Sequence, residues 1–156
     1  MNRRIIGLQD RIDSLQGKAK IEPVSLDTEL QSQIARFLCV LGSGLMEQAL
    51  IVILTDYAQA RCHADVSRFV SASLSRIRNA KFEDVLVTLG HFSPDWREHF
   101  EKVTSPEVKD AIDSIVNNRN QIAHGAQTGI SLVTFMEYYR RVKAFIVELD
   151  AFVSAH

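Results

Sequence analysis

Shortages are the first guide to this chain of 156 residues. It has 2 cysteines, Cys39 and Cys62, without CxxC spacing, so they offer neither a disulfide framework nor a zinc ribbon. Two isolated thiols suit a reducing compartment, and a cytoplasmic location is expected. Proline (3) and glycine (7) are scarce, which excludes collagen-like and low-complexity architectures. Neither sign of charge dominates, with Lys+Arg 18 against Asp+Glu 19, so the overall balance argues neither for nor against nucleic acid. The longest apolar run, ALIVIL at 49–54, is far short of the roughly 20 residues a bilayer crossing needs. No membrane partner is expected. The opening MNRRIIGLQDR carries basic residues but no apolar stretch of signal-peptide length. Glycine-rich phosphate loops are missing too, because GSG at 42–44 has no following Lys-Ser/Thr and no preceding strand.

What remains is helical periodicity, with no convincing alternating strand. At 46% hydrophobic and 24% charged, the chain has the composition of one folded domain with a sizeable core. Ile5, Leu8, Ile12 and Leu15 predict a short amphipathic first helix, and QGKAKIEPVS reads as a linker with Pro23 ending the helix. Residues 1–24 are thus taken as an N-terminal helix and linker, and 25–156 as the core bundle of a single domain. Apolar positions from Leu26 to Ala60 predict one very long helix, or two divided at GSG, where glycine serves a kink or a close helix approach. Further helices are predicted over 66–77 and 82–89. SPDW at 93–96 and SPEV at 105–108 each spell a helix start, with a serine cap, proline at the first position and an acid in the first turn. Thr128 or Ser131 is placed to cap a last helix carried by Leu132, Phe135, Tyr139, Val142, Phe145, Leu149 and Phe152. The expected fold class is all-α, a helical bundle with short connections.

Charge is segregated along the chain. Arg61 to Lys81 holds five bases and one acid, whereas Phe82 to Asp113 holds eight acids and three bases, and such blocks can build a basic face on a neutral protein. Taken alone, each block is better read as a solvated helix face. Asp95 and His99, with His91, Glu98 and Glu101 nearby, lack the second matching segment that a metal site needs. No metal or other cofactor is expected. Cys62 and His63 are adjacent, and adjacent helical residues diverge, so they make a poor nucleophile pair. Trp96, Phe92, Tyr138 and Phe145 fall at core spacing.

One stretch resists a purely structural explanation: NNRNQIAHG at 117–125. A basic helix end closed by Gly125 in the left-handed conformation accounts for its position. It does not account for Asn117, Asn118, Asn120 and Gln121 crowding Arg119, since asparagine is a mediocre helix former. No carboxylate occurs from Ser114 to Met136. An arginine, an amide and a histidine without local counter-charge suit an anion, and a guanidinium fork matches two phosphate oxygens.

RNQIAHG resembles the signature of the HEPN superfamily, helical domains in which arginine, a polar residue, a spacer and histidine form an RNase site. With SIVNNRNQIAHG, the capped last helix and the middle segment RIRNAKFEDVLVTLGHFSPDWREHF, the resemblance is to the RiboL-PSP-associated type and runs from about Leu26 to Phe152. It implies that Arg119 and His124 are catalytic and that Asn120 is the polar helper. Some HEPN toxins carry a modified tyrosine two residues after the histidine; here that residue is Ala126, which puts such regulation in doubt. The expected function is a metal-independent endoribonuclease acting as a toxin or phage-defence effector, with RNA as substrate. A regulatory partner such as an antitoxin is expected to restrain it. The alternative is a non-catalytic RNA-binding or assembly module. Residues five apart on a regular helix point roughly 140° from each other, and one histidine cannot easily act as both acid and base. A twofold homodimer with a shared site is therefore expected, built on apolar residues of the motif helix and the last helix.

Overall fold

The computed structural model describes residues 1–21, 28–126 and 128–156. Its elements are α1 (Arg3–Ile21), α2 (Thr28–Arg61), α3 (Ala64–Leu74), α4 (Phe82–Phe92), α5 (Pro94–Val103), α6 (Pro106–Ala123) and α7 (Leu132–Ala155), with no strand among the described residues. The all-α bundle read from periodicity is the observed architecture.

α2 is the spine, packed against α1, α3, α6 and α7. It runs unbroken through GSG, and Gly42 serves a close contact, not a kink. A Cβ built at Gly42 would lie 3.2 Å from the Phe135 ring on α7 and 3.5 Å from Ile115 on α6, so a side chain there would crowd the Phe135 ring. The most apolar 18-residue window of α2 has mean hydropathy 2.0, enough by length and composition to cross a membrane, although ALIVIL alone is too short. Yet 61% of that window is buried against the rest of the protein, as in the core helix of a bundle.

α1 is longer than the short helix expected, continuing through Gln16–Ile21 where a linker was read; the helix-ending role given to Pro23 lies outside the described residues. α1 also belongs to the core. Ile5 and Ile12 are fully buried, and Lys143 of α7 donates to Asp13 at 2.6 Å. α7 contributes the buried stripe Phe135, Tyr139, Val142, Phe145, Ile146 and Leu149.

The two serine–proline starts behave differently. The Ser93 hydroxyl accepts from the Asp95 backbone N–H at 3.2 Å, the expected cap. Ser105 makes no side-chain cap; its hydroxyl bonds the Glu107 carboxylate, holding that group below its ordinary pKa. Ser131 caps α7 by accepting from Thr134 at 3.1 Å, which leaves Thr128 for another role. α4 starts without a serine: Asp113 of α6 accepts from the Phe82 N–H at 2.8 Å.

Candidate active site

The site grows out of the buried stripe of α6. Ala111, Ile112, Ile115 and Val116 face the core, and Arg119 stands four residues after Ile115 and three after Val116, in line with that stripe. A guanidinium takes the position where the next core residue would fall. It is half-buried, and its Nη1 donates to Asn120 Oδ1 at 3.2 Å. Among the described residues no carboxylate pairs with Arg119 or His124.

The remaining amides divide between local structure and solvent. Asn118 Nδ2 donates back to the Ser114 carbonyl at 2.8 Å, a side-chain contact to the preceding turn that asparagine makes readily. Asn117 and Gln121 are exposed.

The helix then ends in a Schellman turn. His124 leaves helical geometry at φ −89° and ψ 10°, and Gly125 adopts φ +75°. The Gly125 N–H donates to the Ile122 carbonyl at 3.0 Å and the Ala126 N–H to the Gln121 carbonyl at 2.9 Å, the paired bonds that define this cap. The left-handed position predicted for glycine is where glycine sits. His124 is exposed, so its ring is open to an incoming group and not packed in the core.

A residue that the sequence pattern did not single out joins this end. Arg36, about two turns inside α2, donates from Nη2 to the Ala126 carbonyl at 3.3 Å, tying the spine to the turn that carries His124. It is 83 positions before Arg119 in the chain, and an isolated arginine on a long helix carries no signal of such a contact.

The other candidate groups are occupied elsewhere. His99 stacks on Phe152 at 4.3 Å, and Phe92, Tyr57 and Phe152 form an edge-to-face and stacked cluster around Trp96. Among the described residues no three His, Cys, Asp or Glu side chains gather as a metal site. Cys39 is buried, and burial pushes its thiol up to about 12, an inert group. Cys62 is exposed, and His63 beside it faces Asp65 at 3.7 Å instead.

No curated protein and no solved structure matches this chain. A family model does, the one described as RiboL-PSP-HEPN, over residues 7–155. That span takes in α1, which the motif-based resemblance from Leu26 omitted, and it agrees with the burial of Ile12 in the common core. On this match, carrying the RNQIAHG signature on an all-helical bundle, the chain belongs to the RiboL-PSP-HEPN family.

Proposed function

We propose that this protein is a metal-independent endoribonuclease with Arg119, Asn120 and His124 as its site. HEPN membership suggests an RNase or RNA-binding role. The observation that carries the finer reading is a half-buried guanidinium with one neutral partner and, among the described residues, no carboxylate, on the helix end that also presents an exposed histidine. A structural arginine in such a place ordinarily has an acid beside it; this one is left free to bind an anion.

RNA supplies its own nucleophile, the 2′-hydroxyl next to the scissile phosphate. His124 is the group to exchange a proton near neutral pH. Arg119 stabilises charge gathering on the phosphorane and cannot lose its own, while Asn120 holds the guanidinium in one orientation. The 2′-oxygen bonds to phosphorus, the bond to the 5′-oxygen breaks, and a proton reaches that leaving oxygen. Acid and base are two tasks, and the active unit we propose is a twofold dimer in which each chain brings one histidine to a shared cleft. α6 has no exposed large hydrophobic for the interface expected of it. Leu30, Phe37 and Val40 on α2 and Val133 on α7 are among the exposed large hydrophobics, and we assign the contact to them. A cytoplasmic toxin or phage-defence effector held in check by a partner protein is the role that suits such an enzyme.

The experiment is a digest of total RNA by purified protein, with and without EDTA. Cleavage should survive chelation and leave 2′,3′-cyclic phosphate ends, and a fully 2′-deoxy substrate should resist. Chelator-sensitive cleavage with 5′-phosphate products would overturn the mechanism, and RNA binding without cleavage would favour the non-catalytic module. For the dimer, a mixed pair of Arg119→Ala and His124→Ala chains should differ in activity from the average of the two mutant homodimers. Full activity from a monomer at any dilution would remove the shared cleft.

A further inference from the structure

We propose that the cleft between the first turns of α2 and the connection from α6 to α7 is a second RNA subsite, holding the nucleotide that flanks the scissile phosphate. In it the Arg36 and Thr128 side chains donate to that nucleotide's phosphate. This inference rests on the ribonuclease reading and extends it to a region that the RNQIAHG signature does not include.

Two residues that each carry an unpartnered polar atom, Arg36 and Thr128, line this cleft of about 290 Å³ together with Thr28, Glu29, Ser32 and Gln33. Thr128 is only 7% exposed, and its Oγ1 is buried without a hydrogen-bond partner. Arg36 Nε is likewise buried and unpartnered. Buried polar groups in folded proteins almost always have partners, so two lining one cleft call for a ligand that accepts hydrogen bonds.

The guanidinium is already oriented. Its Nη2 donates to the Ala126 carbonyl, two residues beyond His124, which fixes the plane of the fork. Phosphate oxygens are the acceptors that match an arginine donor in such a setting. The hydroxyls of Thr28 and Ser32 and the Gln33 amide add both donors and acceptors to the lining. A bare anion uses donors alone, whereas a ribose hydroxyl also uses acceptors. The mixture therefore fits a ribose–phosphate unit. Because Arg36 touches the turn carrying His124, a strand seated here continues toward the proposed reacting phosphate.

The test uses the full-length protein and two uncleavable probes, a fluorescent 2′-O-methyl RNA oligomer and a 2′-O-methyl dinucleoside monophosphate spanning one phosphate only. Arg36→Lys keeps the charge and removes Nε–H, and Thr128→Val keeps the shape and removes the hydroxyl. Oligomer affinity should fall about tenfold for Arg36→Lys and about threefold for Thr128→Val, the scale of one lost charged and one lost neutral hydrogen bond. Dinucleoside affinity should stay as in wild type. Independently, 4-thiouridine in the oligomer should cross-link wild-type protein within residues 28–36, and this result decides the matter if a variant fails to fold. Unchanged oligomer binding in both folded variants, with cross-links confined to other segments such as 61–81, overturns the subsite and leaves the ribonuclease reading standing. A wild-type protein that neither binds nor cleaves RNA overturns both.

Discussion

The two ends of the bundle use the same residue types to opposite effect. At the α4–α5 end, Arg97 donates to Glu83 at 2.7 Å, and His99 lies against Phe152 and Phe100. At the α6 end, Arg119 has, among the described residues, only the neutral Asn120 oxygen, and His124 stands exposed at a helix terminus. One arginine and one histidine are satisfied by the fold, and the other pair is left for something else. Residue type alone does not mark a site; the number of partners the fold supplies does.

The sharpest way to break this comparison is to substitute both pairs. Arg119→Ala and His124→Ala should each lower RNA cleavage by roughly 10²–10⁴-fold, the usual value of a proton-transfer or charge-stabilising group. Helical content and melting should stay close to wild type, because both side chains are spared a core role. Arg97→Ala should leave cleavage unchanged and cost less than about 1 kcal/mol, as exposed ion pairs do. If cleavage followed Arg97 and ignored Arg119, the assignment of the two ends would be reversed.

Stability should show the opposite polarity. Phe100 is fully buried and meets Phe145, Phe152 and His99, so Phe100→Ala should cost about 3–5 kcal/mol. Denaturant unfolding measures it, and a loss below 1 kcal/mol would mean the aromatic end is not the packed half.

Smaller changes refine the motif end. Asn120→Ala should reduce cleavage by about tenfold, since it removes a neutral tether and no reacting group. Gly125→Ala places a Cβ at φ +75° and should cost about 1 kcal/mol. It should also lower cleavage, because the strained turn is the one that positions His124. Single-turnover rates separate these cases from a binding defect.

The smallest effect is alkaline. Burial raises the Cys39 thiol from 9.0 to about 12. Burial, and then the carboxylates of Asp13 and Asp10, raise the Tyr139 phenol in the same direction. Above the ordinary thiol range the unfolded chain loses these protons while the folded chain keeps them. Their contribution is thus fully present below pH 9.0 and declines as pH rises toward 12. Cys39→Ala should flatten part of that decline in a melting series, and an unchanged slope would show that the thiol plays no part.

Much of this molecule was legible in one dimension. Periodicity placed the helices, SPDW and SPEV gave the starts of α5 and α6, and Gly125 took the left-handed cap assigned to it. These features are local: a cap or a helical stripe depends on residues within a turn or two. Misreadings arose where distant contacts intervene. Gln16–Ile21 is helical although its composition suggests a linker, in a helix whose Ile5 and Ile12 pack into the common core. At GSG the sequence left one helix or two open, and the packing of Gly42 against the Phe135 ring goes with the single continuous helix.

By itself, then, the sequence determined the helical class, the position of RNQIAHG at a helix end, and the lack of acids along the stretch from Ser114 to Met136, since each follows from neighbours along the chain. Only the tertiary structure decided that Arg119 extends a buried stripe with Asn120 as its single partner among the described residues. It alone brought Arg36, from a helix far earlier in the chain, to the turn behind His124. Those facts depend on which helices pack together and at what distance, and packing joins residues that no spacing in the sequence connects.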